Sequence, residues 1–486
     1  MLRDFGVRLH IPEDRLCPPV PNRLNYILWI EDIVHAHRIV EGYLGISRSQ
    51  EIRGIDIGTG STAIYPLLAC KRNPKWKIIG TELDPASHMV ALQNVNENGM
   101  QDSISVEKAE ADGKVLFPLQ TTDEIFDFTM CNPPFYSSQE DVETSARGKD
   151  DPTNAVCTGA ETEMIYPGGG ETAFVERMVI ESVGERLRGR CRWYTSMLGK
   201  MSSVVHIVEM LTARSITNYI ITEFVQGQTR RWAVGWSFSD IKLPDDIARV
   251  PSASSSTHVL YAVQPPRNTL VHVLQSPPPP SSGPKFEVHD LTNALKDVLL
   301  DVAGLEVREV MAHNLSGKQE QESNENETLS RPHIPGDLVP QTMEFVIRAG
   351  ENTWSRSARR GKKRKRGGWE SNESSTSNPT MKDPPSEITR KLGSPLPPAL
   401  PVHEVQRELP ALLCTARVLP VAAPSTSSSS STIPPPYSPG QSALTLVAPR
   451  QLAIQFQWSY GRNSDRALYE SFVSHVWRKV LVRFVG

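Results

Sequence analysis

Gly54-Ile55-Asp56-Ile57-Gly58-Thr59-Gly60 is the stretch that decides the fold: a short apolar strand running straight into a turn with two glycines. Thr62 to Cys70 then has helical character. Working outward, Trp76 to Glu82 reads as a second strand, and Pro85 to Asn98 as a helix with Met89, Val90, Leu92 and Val95 toward one side. Asn98-Gly99 is its stop signal. Ile104 to Val106 is a third strand, and Ile125 to Cys131 a fourth that ends on Asn132. Strands alternating with helices of about 10–15 residues predict an α/β fold with a doubly wound, mostly parallel sheet. Thr172 to Leu187 and Ser203 to Arg214 supply further helices; Cys191 to Met197, Tyr219 to Phe224 and Arg231 to Phe238 complete the strands.

At 486 residues the chain exceeds the size at which one hydrophobic core stops growing, so two folded units are expected. Residues 1–50 read as an N-terminal segment, 51–240 as the first folded domain and 241–284 as a linker. Residues 285–486 read as a smaller α/β unit broken by disordered insertions at about 316–333, 367–401 and 425–439. Its pieces are a helix face (Leu291, Leu295, Val298, Leu299), strands at Leu305 to Val310, Met343 to Ile347, Leu412 to Val418 and Leu452 to Trp458, and a helical stripe of Leu468, Phe472, Val476 and Val480. Ser137 to Gly170 reads as a long segment without regular structure, which in a compact domain is functional or disordered.

The formal charge of -3, from 52 basic and 55 acidic residues, means that a polyanion must be met by local patches rather than by a global field. Six cysteines stand singly with no spacing for zinc, so no metal is expected, and a reducing compartment fits better than a disulfide framework. The N-terminus carries Arg3, Asp4 and Arg8 where a signal peptide needs apolar residues. No run approaches the roughly 20 apolar residues of a membrane span. A soluble, intracellular monomer is expected.

In an open parallel sheet a ligand lies outside the carboxyl ends of the strands, where glycines admit it to the backbone. A glycine turn alone is as often structural as functional. Glu82, about 20 residues after the turn and at the end of the second strand, is the acid expected to hold ribose hydroxyls, so Asp56, Gly58, Gly60 and Glu82 form a candidate nucleoside-cofactor site. Ala63 stands near where a dinucleotide site has its third glycine, which argues against NAD. Asn132-Pro133-Pro134-Phe135 carries the chemistry. An amine conjugated to a flat ring or carbonyl is a poor nucleophile; the Asn132 oxygen and the Pro133 carbonyl can each accept one of its N–H groups and redirect its lone pair. Phe135 offers a stacking face, and the prolines, Pro133 and Pro134, preorganise the turn. The pairing points to S-adenosylmethionine as the methyl donor, with S-adenosylhomocysteine as product. Asp112 is a candidate partner for the donor's adenine and Arg23 for its carboxylate.

These residues resemble the family of adenine-N6 RNA methyltransferases that comprises the eukaryotic methyltransferase-like enzyme of U6 small nuclear RNA and its bacterial 23S ribosomal RNA counterpart. The resemblance runs from Asp4 to about Phe238 and rests on Asp4-Phe5-Gly6, Val20-Pro21-Asn22-Arg23-Leu24-Asn25-Tyr26-Ile27, Trp29-Ile30-Glu31-Asp32, the Gly54 to Gly60 stretch and Tyr65-Pro66-Leu67-Leu68. It continues through Thr81-Glu82, Met130 to Phe135, Trp193-Tyr194, Met197-Leu198-Gly199-Lys200, Thr222-Glu223-Phe224 and Arg231-Trp232-Ala233. It implies a Rossmann-like class I methyltransferase fold and methylation of adenine N6 in structured RNA, with U6 small nuclear RNA as the expected substrate. It also implies that Arg23, Gly58, Glu82 and Asn132 touch the donor, that the N-terminal segment and the loop after Phe135 clamp RNA, and that the protein works in the nucleus, with the cytoplasm open as a second location. Lys200, Arg230 and Arg231 are candidate RNA contacts, as is the basic run Arg359 to Arg366, with Arg359, Arg360, Lys362 and Lys363. Asp112-Gly113 stands where the family has a Lys-Thr pair. Two alternatives remain at this point: a protein glutamine N5-methyltransferase, and a non-catalytic RNA-binding member of the fold.

Overall fold

Strand β1, Ile52–Ile57, sits inside the first sheet because its side chains are buried on both faces. The computed structural model describes residues 1–17, 19–147, 161–251, 260–274, 287–311, 343–355, 358, 360, 409–422 and 450–485. Ile55 and Ile57 point into one hydrophobic cluster and Ile52 into the other, as the two-residue period of a strand requires. The partners are β2 (Trp76–Glu82), β3 (Ile104–Lys108), β4 (Phe126–Cys131), β5 (Cys191–Leu198), β6 (Asn218–Gln226) and β7 (Thr229–Ser237), in the order β3-β2-β1-β4-β5-β7-β6. The β3-β2-β1-β4-β5 ladders are parallel, and β7 joins antiparallel to β5 and β6. The expected doubly wound, mostly parallel sheet is present. Gly54 lies opposite Phe128 in the β1–β4 register, and a Cβ there would fall 2.2 Å from Phe128 Cζ. The glycine therefore admits the ring.

Helices Val20–Leu44, Ile64–Arg72 and Pro85–Glu97 cover one face through Tyr26, Ile30, Leu67, Leu68 and Val95. Gly170–Ser182 and Met201–Ala213 cover the other through Val175, Met178, Val204 and Ile207. Each such side chain contributes about 1.5–3 kcal/mol on burial.

The second unit is an antiparallel sheet of β8 (Thr269–Val273), β9 (Leu305–Met311), β10 (Met343–Ala349), β11 (Leu412–Ala422) and β12 (Arg450–Tyr460), ordered β8-β12-β11-β10-β9. Helices Val288–Leu300 and Arg466–Val485 pack on one face, where Leu291, Leu295, Phe472 and Val476 join Phe345, Ile347 and Phe456. On the other face, Val346 and Leu413 meet Val40 and Leu44 at the end of the long first helix. The scattered periodic pieces thus make one smaller α/β unit.

Three sequence expectations change. Residues 1–50 are not a separate segment, because the apolar face of Val20–Leu44, the helix that carries Arg23, is part of the first core. Residues 241–284 are more than a linker: Lys242 N–H donates to Ser459 O at 2.9 Å, and β8 pairs with β12. Ser137 to Gly170 contains helical Gln139–Arg147 and Glu161–Met164, with Tyr136 paired to Ile165. The insertions expected at 316–333, 367–401 and 425–439 lie outside the described residues. Among the described residues, no helix is long and apolar enough to cross a membrane, and no cluster of His, Cys, Asp or Glu could hold a metal ion.

Candidate active site

The carboxyl ends of β1, β2 and β4 open into a cavity of ≈ 470 Å³ whose walls include Arg23, Gly58, Gly60, Glu82, Asn132 and Pro134. Gly58 and Gly60 have φ of 70° and 68°, the left-handed region in which a Cβ is strained. Glu82 ties the turn to β2: its Oε2 accepts from Gly60 N–H at 2.9 Å and its Oε1 from Asp84 N–H at 2.8 Å. Burial raises the proton affinity of Glu82, against those backbone bonds, and nearby Glu163 adds to the rise. Each carboxylate oxygen retains acceptor capacity for a diol.

Asp56 stands behind this wall and is fully buried, with the Thr59 hydroxyl beside it. Burial pushes its carboxyl up to about 7, with a hydrogen bond from Thr59 and the Arg23 charge opposing and Glu82 reinforcing. The Arg23 guanidinium lies over the Tyr65 ring, 5.4 Å from its centroid, so the cation is presented at the cavity with an aromatic support.

Asn132 lines the opposite side, and its Oδ1 is buried without a partner. A buried polar acceptor of this kind is costly unless something donates to it. Pro134 also lines the cavity, and Pro133 is buried. Phe135 is outside the lining: Arg231 caps its ring at 5.5 Å, and Gly199 lies beside it, where a Cβ would come within 3.1 Å of Phe135 Cδ1. Buried Glu171 anchors this corner, accepting from Gly199 N–H at 2.6 Å, Lys200 N–H at 3.0 Å and Ser203 Oγ at 2.7 Å. The structure thus gathers Phe135, Lys200 and Arg231 at one side of the site. Arg230 instead pairs with Glu223 at 3.0 Å.

Asp112 is exposed and does not line the cavity; its neighbours Ala111, Gly113, Lys114 and Val115 do. The expected adenine partner is therefore displaced by the turn closed by Gly113 N–H to Glu110 O, while a lysine, Lys114, does stand in this loop. Arg177 and Glu181 clasp the loop from helix Gly170–Ser182. Arg177 donates to Gly113 O and, at 3.4 Å, to Tyr166 Oη, and Glu181 accepts from Val115 and Leu116 N–H at 3.1 and 2.9 Å. Sequence reasoning missed Lys114, Glu163, Glu171 and Arg177; only Glu171 carried a signal, the glycine run before it. Arg359, Lys362 and Lys363 lie outside the described residues, and Arg360 is exposed. A larger cleft of ≈ 860 Å³ in the second unit, with Trp354, Arg478 and Lys479, holds none of the expected site residues.

A family model described as RNA methyltransferase matches residues 1–240. The RNA N(6)-adenosine-methyltransferase mettl16 of Danio rerio is 32% identical over 82% of this chain and 75% of its own. The chain belongs to the RNA methyltransferase family. The U6 small nuclear RNA (adenine-(43)-N(6))-methyltransferase of Schizosaccharomyces pombe is 38% identical over 54% of this chain. A crystal structure of the hMettl16 catalytic domain in complex with MAT2A 3'UTR hairpin 1 is similar at 39% identity and a TM-score of 0.44, covering 52% of this chain and 80% of that one. The chain spans 64% of the Schizosaccharomyces pombe relative's length and 46% of that of the Mus musculus RNA N(6)-adenosine-methyltransferase METTL16.

Proposed function

We propose that the protein transfers a methyl group from S-adenosylmethionine to adenine N6 in structured RNA, with U6 small nuclear RNA as its substrate, and that it works in the nucleus. The observation that carries this reading is the unpartnered Oδ1 of Asn132, a residue that lines the same cavity as Glu82 and the glycine turn. The residues fit the donor: Glu82 has acceptor capacity for ribose hydroxyls, the glycine turn leaves room for the nucleoside, and Arg23 offers a cation for a carboxylate. When bound, the donor supplies an electrophilic methyl carbon on sulfonium sulfur.

Asn132 Oδ1 accepts one N–H of the adenine amino group, which draws the nitrogen toward a tetrahedral geometry and withdraws its lone pair from conjugation with the ring. A fixed acceptor costs no reorganisation at the moment of reaction. The adenine must leave its stack to reach this depth. Phe135 offers it a face once Arg231 moves aside, and the displaced guanidinium, with Lys200, is placed for backbone phosphates. As the N–C bond forms and the C–S bond breaks, the nitrogen loses one proton to water.

The test supplies labelled methyl donor with U6 small nuclear RNA or with total protein. RNA should be labelled at adenine N6, and Asn132→Ala should cut the rate at saturating donor by about 10²–10³. Label in protein alone would select the glutamine methyltransferase. Donor binding without transfer to either would select the non-catalytic reading.

A further inference from the structure

Asn132 can act as a fixed acceptor only if the chain before it is held, and the first sheet does not hold it on both sides. The β1–β4 ladder runs on to Ile57 opposite Cys131, but the β4–β5 ladder ends at Thr129 opposite Tyr194. Alternate residues of a strand face the same neighbour, so Cys131, two after Thr129, presents its N–H where β5 no longer pairs. The strands part here, and Cys131 and Asn132 line the cavity that results.

The vacant place is filled from the long first helix. Cys131 N–H donates to the Tyr26 hydroxyl at 3.3 Å, and that hydroxyl is 2.7 Å from Thr195 Oγ1. Thr195 Oγ1 in turn donates to Thr129 O at 2.8 Å. The hydroxyl of Thr195 has one proton, spent on Thr129, so Tyr26 donates to Thr195 and accepts from Cys131. All four residues of this relay are buried, and the directions of its hydrogen bonds are fixed. The Tyr26 ring meets the Tyr65 ring edge-on at 5.7 Å, and Tyr65 supports Arg23. One helix thus reaches both sides of the cavity.

We propose that Tyr26 is a positioning residue for methyl transfer. Its hydroxyl, braced by Thr195, replaces the missing rung of the ladder at Cys131 and so sets the direction of Asn132 Oδ1 toward the amine. This inference rests on the methyl-transfer reading above.

The test is Tyr26→Phe in the full chain, which removes one oxygen and keeps the ring, together with Thr195→Val and Thr195→Ser. Expected is a fall in kcat of about 10–100-fold for Tyr26→Phe, a smaller fall for Thr195→Val and recovery in Thr195→Ser. KM for RNA and donor affinity should change by less than about 2-fold. A merely structural role would lower donor affinity and melting temperature with kcat, leave the split unseen, and overturn the proposal. Unchanged kcat in folded Tyr26→Phe would do the same. Hydrogen exchange of the Cys131 amide, read by NMR, is independent of activity: it should quicken at least about 10-fold in Tyr26→Phe and in Thr195→Val by less. Unchanged exchange removes the basis of the proposal even if the wild-type protein methylates some other substrate, whereas faster exchange in a protein that labels no RNA counts against the parent reading alone.

Discussion

Replacing Asp56 by Asn should abolish a fall in stability that the wild-type protein shows as pH rises. The buried Asp56 carboxyl is pushed up to about 7 from its usual 3.8, first by burial, with Glu82 adding and Arg23 opposing. An unfolded chain gives up this proton near pH 4, whereas the folded one keeps it to about pH 7. In that window the folded state binds more protons, so its stability is full below the unfolded value and is lost as pH rises through the folded one. Integrating between pH 5 and pH 8, this one group removes about 2–3 kcal/mol. Asn is neutral throughout and has no such slope. Urea titrations without methyl donor at the two pH values read the effect as a midpoint difference of about 1–2 M. The wild-type midpoint should drop relative to that of Asp56→Asn on going from pH 5 to pH 8. Parallel midpoints for the two proteins would mean that Asp56 is ionised and solvated in the folded state, and the account of the wall behind the glycine turn would be wrong.

Two further outcomes follow from contacts in the first sheet. Gly54→Ala puts a Cβ 2.2 Å from Phe128 Cζ in a close-packed core, and should cost about 1–3 kcal/mol in thermal unfolding; wild-type melting would mean that β1 and β4 are not in this register. Glu171→Gln leaves one oxygen where two accept from Gly199, Lys200 and Ser203, and turns a donor toward a backbone N–H. A loss of about 2–3 kcal/mol in urea unfolding is expected, and a change below about 0.5 kcal/mol would contradict a fixed Phe135 corner.

The first sheet was legible because its central strands β1, β2 and β4 are short, largely buried and bounded by turn residues. Gly54 to Gly60, Glu82 and Asn132 are local signals whose spacing already places them at strand ends. Even the second unit left its pattern, since Leu291 to Leu299 and Leu468 to Val480 have helical stripes. What misled was polarity without period. Thr269–Val273 is an edge strand, flanked by Pro265 and Pro266, and its register comes from β12 rather than from its own alternation. Asp112 has the right chemistry but stays out of the cavity lining to which its neighbours Ala111 and Gly113 belong.

By itself the sequence determined the fold class and placed Glu82 and Asn132 at the ends of strands, because backbone geometry, glycine turns and strand ends are set within a few residues. Tertiary structure alone decided that Arg23 sits within a helix of the core, that Asp56 is sealed behind the wall, that Arg231 caps Phe135, and that Tyr26 stands 105 residues from the N–H it receives. Such contacts depend on which elements pack together, and no local period or spacing encodes them.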